Sequence, residues 1–235
     1  LICRENGIIF FTVSGEQEKM NVLISAGPTR EKIDPVRFIS NASSGKMGGA
    51  LAAAAVKAGC SVTLVSGPVS AKAPAGLKKL IPVESASEMA AAVKKCFASA
   101  DVTVMAAAVA DYTPVRFSAS KIKKNSPRMT IELEKTEDIL AGLGKKKKAR
   151  QTLVGFAAET DSLEENALKK LRGKNLDWIV ANEAGKADRG PGADKNAVIM
   201  LSAAGERIEL PLQSKGSLAA KIMRIILKDH KDRNS

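Results

Sequence analysis

Val22-Leu23-Ile24-Ser25-Ala26-Gly27-Pro28-Thr29-Arg30 opens the stretch that decides the fold, and Ser43-Ser44-Gly45-Lys46-Met47-Gly48-Gly49 closes it. The first five residues carry no charge and no alternation, the mark of a strand covered on both faces in a parallel sheet. Gly27-Pro28 ends that strand. At the far end Ser43 and Ser44 are placed to cap a helix that runs through Met47, Leu51, Ala55 and Val56 to a stop at Gly59. Gly48 and Gly49 would let its first turn approach the sheet. The N–H groups of Ser44-Gly45-Lys46 would face an anion at the positive end of the helix dipole. Between strand and helix lies Asp34-Pro35-Val36-Arg37-Phe38-Ile39-Ser40-Asn41. A plain βα connection takes about 2–6 residues, so a long one carrying two arginines, an asparagine and two prolines points to a binding loop. It is not a P-loop, because Ser40 stands where the first glycine belongs and Met47 replaces the Ser/Thr. Nor is it a GxGxxG dinucleotide turn.

Working outward, strand and helix alternate. Strands are expected at Ser61–Val65, Val102–Ala108, Thr130–Glu134, Thr152–Ala157 and Asp177–Ala181. Helices are expected from a Ser87 cap to about Ser99, after a Thr136 cap, and over Asp161–Arg172. Glu183–Lys195 reads as Gly-rich loop. Ala197–Leu201 and Ile208–Leu212 flank Ala204-Gly205 as an antiparallel hairpin, and an amphipathic helix spans about Ser217–Lys228. The reading is an α/β fold: a three-layer, Rossmann-like, mainly parallel sheet with helices on both faces and a C-terminal antiparallel hairpin. Residues 1–20 do not join this pattern and read as an N-terminal extension or linker remnant. The start at Leu1 suggests an excised or processed chain, with Met20 as a native start. Residues 21–230 form the domain.

Composition narrows the function classes. Of 235 residues, 45% are hydrophobic, 26% charged and only 3% aromatic, so the core rests on Ala, Val, Leu and Ile. The apolar segment Gly7–Val13 is too short for a membrane span and lacks a cleavage site, so neither membrane nor secretion is expected. Cys3, Cys60 and Cys96 are scattered and odd in number, which argues for a reducing, cytoplasmic setting and against a metal cluster. The lone His230 removes most zinc and histidine-base chemistry. A net charge of +12 points to anionic partners. Nucleic acid is disfavoured because stacking aromatics and basic DNA-binding motifs are missing. The run Lys145–Lys148 closes a helix, where it reads as a solvated end.

In open α/β sheets ligands bind beyond the carboxyl ends of the strands. That rule selects Gly27–Ser44, Asp111–Lys124, Phe156–Thr160 and Asn182. Ala106-Ala107-Ala108-Val109-Ala110-Asp111-Tyr112 supplies small residues that let a flat ligand reach the backbone. Asp111 stands at the edge, where by itself it reads equally well as a cap. Lys121-Ile122-Lys123-Lys124 places three cations in a loop that an anion would relieve, though a run of this kind taken alone is a solvated loop. Lys170 and Lys174 follow Gly155-Phe156-Ala157-Ala158-Glu159-Thr160. They are four apart on one helix face, able to meet a polyphosphate or to pair with Glu164 and Glu165.

Together these motifs, with Val62–Val69 and Asn175–Asn182, resemble the phosphopantothenoylcysteine synthetase family, the second domain of the bacterial bifunctional coenzyme A biosynthesis flavoprotein. The resemblance runs from about Asn21 to Leu227. It implies a ligase that activates 4′-phosphopantothenate with CTP to an acyl-cytidylate and then joins it to cysteine. Mg²⁺ is carried mainly by the triphosphate and no dedicated metal ligands are expected. It also implies a homodimer or larger homo-oligomer, with the 197–212 hairpin as its candidate element, and fusion in bifunctional members to a flavin-dependent decarboxylase domain. By position, Asn41 resembles the residue on the acyl-nucleotide, Arg37 its support and Lys121 a mobile-loop lysine. Ser44 and Gly45 line the phosphates. Asp111 beside Met105, Ala106 and Ala107 resembles the reader of the ribose or base edge. Glu137, Asp138, Ile139, Leu140, Phe156, Lys170 and Lys174 match further nucleotide contacts, Glu137 standing where the family often has proline. The alternatives from the residues themselves are a nicotinamide-dependent reductase, for which Tyr112 is the only tyrosine, and a nucleotide- or RNA-binding module.

Overall fold

The computed structural model describes residues 2–5, 8–11, 19–124, 127–183 and 192–235. In chain order, β1 (Ile2–Glu5) and β2 (Ile8–Phe11) pair as an antiparallel ribbon within the expected extension. Then come β3 (Asn21–Ala26), the short antiparallel pair β4 (Arg30–Lys32) and β5 (Phe38–Ser40), and α1 (Lys46–Lys57). β6 (Ser61–Ser66), β7 (Lys79–Pro82), α2 (Ala86–Phe97) and β8 (Val102–Met105) follow. β9 (Tyr112–Pro114) and β10 (Leu133–Lys135) form a second short ribbon, leading to α3 (Ile139–Lys146). The chain ends with β11 (Thr152–Glu159), α4 (Leu163–Gly173), β12 (Trp178–Glu183), β13 (Lys195–Ser202), β14 (Arg207–Ser214) and α5 (Lys215–Asn234).

Eight strands form one sheet in the order β14-β13-β12-β11-β8-β3-β6-β7. From β12 to β7 every pairing is parallel, and β13 and β14 add an antiparallel hairpin at one edge. The uncharged β3 run is buried on both faces, as its composition requires. Val22, Ile24 and Ala26 pack with Leu51 and Ala55 of α1 and Leu218, Ile222 and Ile226 of α5. Leu23, pointing the other way, packs with Met89 of α2, Leu143 of α3 and Leu171 of α4. Each Val, Leu, Ile or Met side chain among these, taken from water, contributes about 1.5–3 kcal/mol. Two core layers on one sheet make the three-layer α/β architecture that the alternation implies.

Several local expectations are corrected. The cap of α1 is Gly45 in the left-handed conformation (φ 72°), not a serine; the Ser43 hydroxyl accepts from the Gly45 N–H at 3.4 Å. A Cβ on Gly48 would stand 2.4 Å from Ala26 Cβ, so this residue does set the approach of helix to sheet, whereas one on Gly49 would meet nothing within 4 Å. Ser85, not Ser87, caps α2, and Asp138, not Thr136, caps α3, because each accepts from the third N–H onward. The expected 130–134 strand is not in the sheet: β10 lies slightly later and pairs only with β9. β7, β4, β5 and β9 went unpredicted, being three or four residues long with little apolar pattern. β8 is shorter than expected. α5 is longer, running to Asn234. Lys147 does not end in solvent but pairs with Asp177 at 2.9 Å. Residues 184–191 of the expected Gly-rich loop, and most of Gly7–Val13, fall outside the described residues or their side chains. Among the described residues no helix is long and apolar enough to cross a membrane.

Candidate active site

The chain order reverses between β3 and β8: β6 and β7 lie to one side of β3, β8 and β11 to the other. Connections from neighbouring strands there diverge to opposite faces and open a crevice. A cavity of about 830 Å³ occupies it. One wall is the start of α1, the other the β11–α4 side, and the floor is the segment that follows β8.

That floor is held by its own backbone. The Ala108 N–H donates to Gly27 O at 2.9 Å and Pro28 bridges to Ala108. Ser25 Oγ accepts from the Ala107 N–H at 3.1 Å, and the buried Thr29 hydroxyl accepts from the Ala110 N–H at 3.0 Å. On the other side, Thr136 Oγ1 donates to Ala110 O at 2.6 Å. Asn41 Nδ2 donates to Val109 O at 2.9 Å and reaches Ala108 O at 3.3 Å, tying the end of the β5 connection to the floor. Pinned from both flanks, the run of small residues forms a rigid, shallow platform whose backbone a planar group can approach.

Of the site residues carried over by position, all line this cavity except Arg37 and Lys121. Asn41, Ser44 and Gly45 come from the α1 side, Met105, Ala106, Ala107 and Asp111 from the floor, Glu137, Asp138, Ile139 and Leu140 from the start of α3, and Phe156, Lys170 and Lys174 from β11 and α4. Arg37 and Lys121 stand elsewhere. The Asp34 carboxylate, 1% exposed, accepts from the N–H groups of Val36, Arg37 and Ile122 and from Arg37 Nε. Arg37 Nη2 in turn donates to Ile122 O at 2.6 Å. Burial pushes the Asp34 carboxyl up, but those N–H groups and the guanidinium overcome it and hold it at about 2. Arg37 therefore anchors the lysine loop, and Lys121 itself is exposed.

Three of the cavity lysines form ion pairs. Lys170 meets Glu159 at 2.6 Å, Lys174 meets Asp138 at 2.8 Å and Lys46 meets Asp194 at 2.6 Å. Neither Lys170 nor Lys174 takes the Glu164 or Glu165 partner weighed from sequence: Glu165 pairs with Lys169 and Glu164 with Arg207. Burial raises the Asp138 carboxyl, while the Lys174 ammonium and the Ala141 N–H outweigh it and keep it below the ordinary value. These pairs are partly exposed and individually worth about 0–1 kcal/mol, so an anionic ligand can exchange its own oxygens for theirs.

Sequence reasoning passed over Lys135, Thr136, Ile179, Asn196 and Lys215, which also line the cavity. The strand-end rule was applied to parallel strands only. β13 and β14 are antiparallel, so the start of β13 (Asn196) and the residue after β14 (Lys215) arrive at the same edge as the carboxyl ends of the others. That signal was present once the hairpin was recognised.

Residues 17–230 match the family described as the DNA/pantothenate metabolism flavoprotein C-terminal domain. The chain belongs to that family. Within it, the Bacillus subtilis (strain 168) Coenzyme A biosynthesis bifunctional protein CoaBC is 50% identical over 213 residues, covering 91% of this chain and 52% of that protein. The Escherichia coli (strain K12) protein of the same name is 41% identical over 230 residues, 97% of this chain and 56% of its own length. The chain thus spans about half the length of the curated relatives it matches. Among solved structures, a C-terminal domain of CoaBC is 46% identical with a TM-score of 0.77, covering 91% of this chain and 96% of that one. A Cab2 mutant in complex with phosphopantothenate-cysteine, 19% identical with a TM-score of 0.72 over 91% of this chain and 87% of its own, shares the fold.

Proposed function

We propose that this chain is the ligase that joins 4′-phosphopantothenate to cysteine, with CTP as the activating nucleotide. The observation that carries the reading is the cavity at the sheet's switch point, which unites a small-residue platform with lysines from opposite walls. Membership of a family whose half-length match is to coenzyme A biosynthesis proteins supports it. The carboxylate of phosphopantothenate would attack the α-phosphorus of CTP, releasing pyrophosphate and leaving an acyl-cytidylate. The amine of cysteine would then attack the acyl carbon, expel CMP and form the amide. Both partners in the first step are anions, so positioning and charge neutralisation are the main tasks of the protein. Asp111 and the segment Glu137–Leu140 would hold the nucleoside with Phe156; Lys170 and Lys174 would take phosphate oxygens; Asn41 would face the acyl group. Lys121 would act after the loop tethered at Ile122 moves.

In this reading Mg²⁺ would enter on the triphosphate, where it neutralises phosphate charge. Asp138 and Glu159 each hold a lysine, so the ion would reach the site with the phosphates rather than through these carboxylates. The proposal includes a cytoplasmic setting, fusion to a flavin-dependent decarboxylase domain in the native protein, and a homodimer. For the dimer, the exposed apolar residues Val36, Phe38, Tyr112, Phe117 and Leu133 lie on the two short ribbons and their connections, against Leu212 alone on the hairpin. This favours the ribbons over the hairpin as the contact.

The test is incubation with phosphopantothenate, cysteine and each nucleoside triphosphate, read by mass spectrometry. Phosphopantothenoylcysteine, CMP and pyrophosphate in equal amounts, with CTP preferred, are the expected products. No amide with any triphosphate would sink the ligase reading, and equal efficiency with ATP and CTP would remove only the assignment of CTP.

A further inference from the structure

A second hollow, of about 480 Å³, is lined by α2, by the short strands β4 and β9, and by the residues before α3. Its volume is within the range of about 300–1,000 Å³ usual for small-molecule sites. Ala86, Ala90 and Ala91 give α2 a wall of small residues there, and Ser87 and Thr113 add hydroxyls. Thr136 and Glu137 line this hollow and the main cavity alike. The two voids therefore share a wall.

Glu31 of β4 lines the hollow and is 4% exposed. One of its carboxylate oxygens accepts from the Ala86 N–H, at the start of α2, at 2.8 Å. Among the described residues its other oxygen accepts no hydrogen bond and no cation pairs with it. The flanking cations are engaged elsewhere: Lys32 pairs with Glu84, and Arg30 lies over the Phe38 ring. A carboxylate this deep with an oxygen to spare is unfavourable unless a donor reaches it. Lys94 of α2 meets the Glu137 carboxylate, but the two side chains are 38% and 49% exposed, so their pair is screened and readily exchanged. Ala86, Ala90 and Lys94, four residues apart, share one helix face, and a helical side chain leans toward the N-terminus. Ala86 and Lys94 are separated by about 12 Å of helix rise. The lysine stem covers about half of that span, and the remainder suits a molecule with an ammonium at one end and a carboxylate at the other.

We propose that this hollow binds a small α-amino acid, whose ammonium goes to Glu31 and whose carboxylate takes Lys94 from Glu137. The hydroxyls of Ser87 and Thr113 serve as neutral partners. A bare amine would leave Lys94 in its existing pair, and a bare acid would add an anion beside Glu31. Both charges are needed on one molecule. Once Lys94 has moved, Glu137 stands unpaired on the wall of the main cavity, so occupancy weakens polyanion binding there. By linkage the polyanion weakens the amino acid by the same factor. That coupling rests on the nucleotide site proposed above; the binding itself does not. Two sources share this chemistry, cysteine as co-substrate and a small amino acid as effector. Asn41 does not line the hollow, which favours the effector.

The experiment is calorimetric titration of the whole chain with L-serine, L-cysteine, ethylamine and acetate. The two amino acids are expected to bind at least about tenfold more tightly than ethylamine or acetate, the difference made by one charge-assisted hydrogen bond. Glu31→Gln keeps an acceptor for the Ala86 N–H, and Lys94→Met changes an exposed position. Each should weaken serine by about tenfold. Saturating serine should weaken CTP by about threefold in the parent chain and leave it unaltered in Lys94→Met. In the ligase assay, a KM for cysteine that Lys94→Met leaves within about twofold supports the effector, and a rise of about tenfold overturns it in favour of the co-substrate. No binding of either amino acid, equal binding of all four probes, or serine binding unchanged in both variants overturns the site. Absence of amide product alongside selective serine binding would instead strike the ligase reading and leave the site standing.

Discussion

Asn41 shows how one side chain can serve both structure and chemistry. Its amide nitrogen donates to Val109 O and Ala108 O, which secures the platform; to polarise an acyl or phosphoryl oxygen, the same N–H groups would exchange one of these acceptors for the ligand's. Asn41→Ala is expected to leave CTP affinity within a few-fold and to cut amide formation by about a hundredfold or more, in line with loss of one polarising group. A coupled assay of pyrophosphate release and product gives the answer, and unchanged turnover would remove Asn41 from the site. The lysines divide by where the chain holds them. Lys170 on α4 and Lys174 at its C-terminal cap are fixed beside the cavity before any ligand arrives, whereas Lys121 stands outside it on a loop. Lys170→Gln and Lys174→Gln should therefore weaken CTP binding by about tenfold each. Lys121→Gln should slow acyl-cytidylate formation more than it alters CTP affinity. Rapid-quench measurement of the intermediate beside a CTP titration separates the cases; a normal rate at saturating CTP would end the role given to Lys121.

At the scale of elements, α1 is positioned by one residue. Gly48 stands where a methyl group would lie 2.4 Å from Ala26 Cβ and 2.9 Å from its Cα, so helix and strand approach as backbones. Gly48→Ala should cost about 1–3 kcal/mol through overpacking. It should also lower the melting temperature by about 2–4 °C per kcal/mol at this chain length. Because the first turn of α1 walls the cavity, nucleotide affinity should fall with it. Gly49→Ala is the control: with open space around it, the better helix propensity should stabilise by up to about 1 kcal/mol. Differential scanning calorimetry of the two variants decides the matter, and equal melting temperatures would mean that Gly48 does not set the approach. The same element explains a misreading from sequence. Serines before a helix suggest a cap, yet Gly45 takes that position, because the turn entering α1 needs a positive φ.

Across the whole molecule, the edge opposite the cavity carries its own polar network. Arg233 donates to Thr152 Oγ1 at 2.6 Å and to Asp177, and the Thr152 hydroxyl lies 2.8 Å from His230 Nδ1. Burial depresses the His230 pKa first, Arg233 acts in the same direction, and Asp101, Asp229 and Asp177 oppose them. A histidine depressed in the fold is protonated more readily when unfolded, so its contribution is complete above the ordinary value near 6.5 and falls as pH drops toward the folded value. The melting temperature should therefore decline between pH 7 and pH 5, and His230→Gln should flatten that part of the profile. An identical slope in the variant would assign the acid sensitivity to other groups. His230 stands in this network at the far end of β11 and is not among the residues that line the cavity.

Much of this was legible along the chain because it depends on local periodicity. An uncharged β3, an alanine-rich α1 and the repeat of strand and helix dictate a parallel sheet with helices on both faces, since no other arrangement covers both faces of such strands. The strand-end rule then located Asn41–Ser44, Asp111, Phe156 and Asn182 in the cavity, while Glu137–Leu140 came from the family resemblance. Tertiary structure alone decided the rest. Arg37 turned toward Asp34 and Ile122 because a buried carboxylate needs donors, which spacing does not reveal. Lys174 met Asp138, and Lys46 met Asp194, because separate elements converge at one edge. Lys215 became a cavity residue because an antiparallel hairpin returns the chain to that edge. Sequence determines which segments must be covered; only packing determines which charges then face one another.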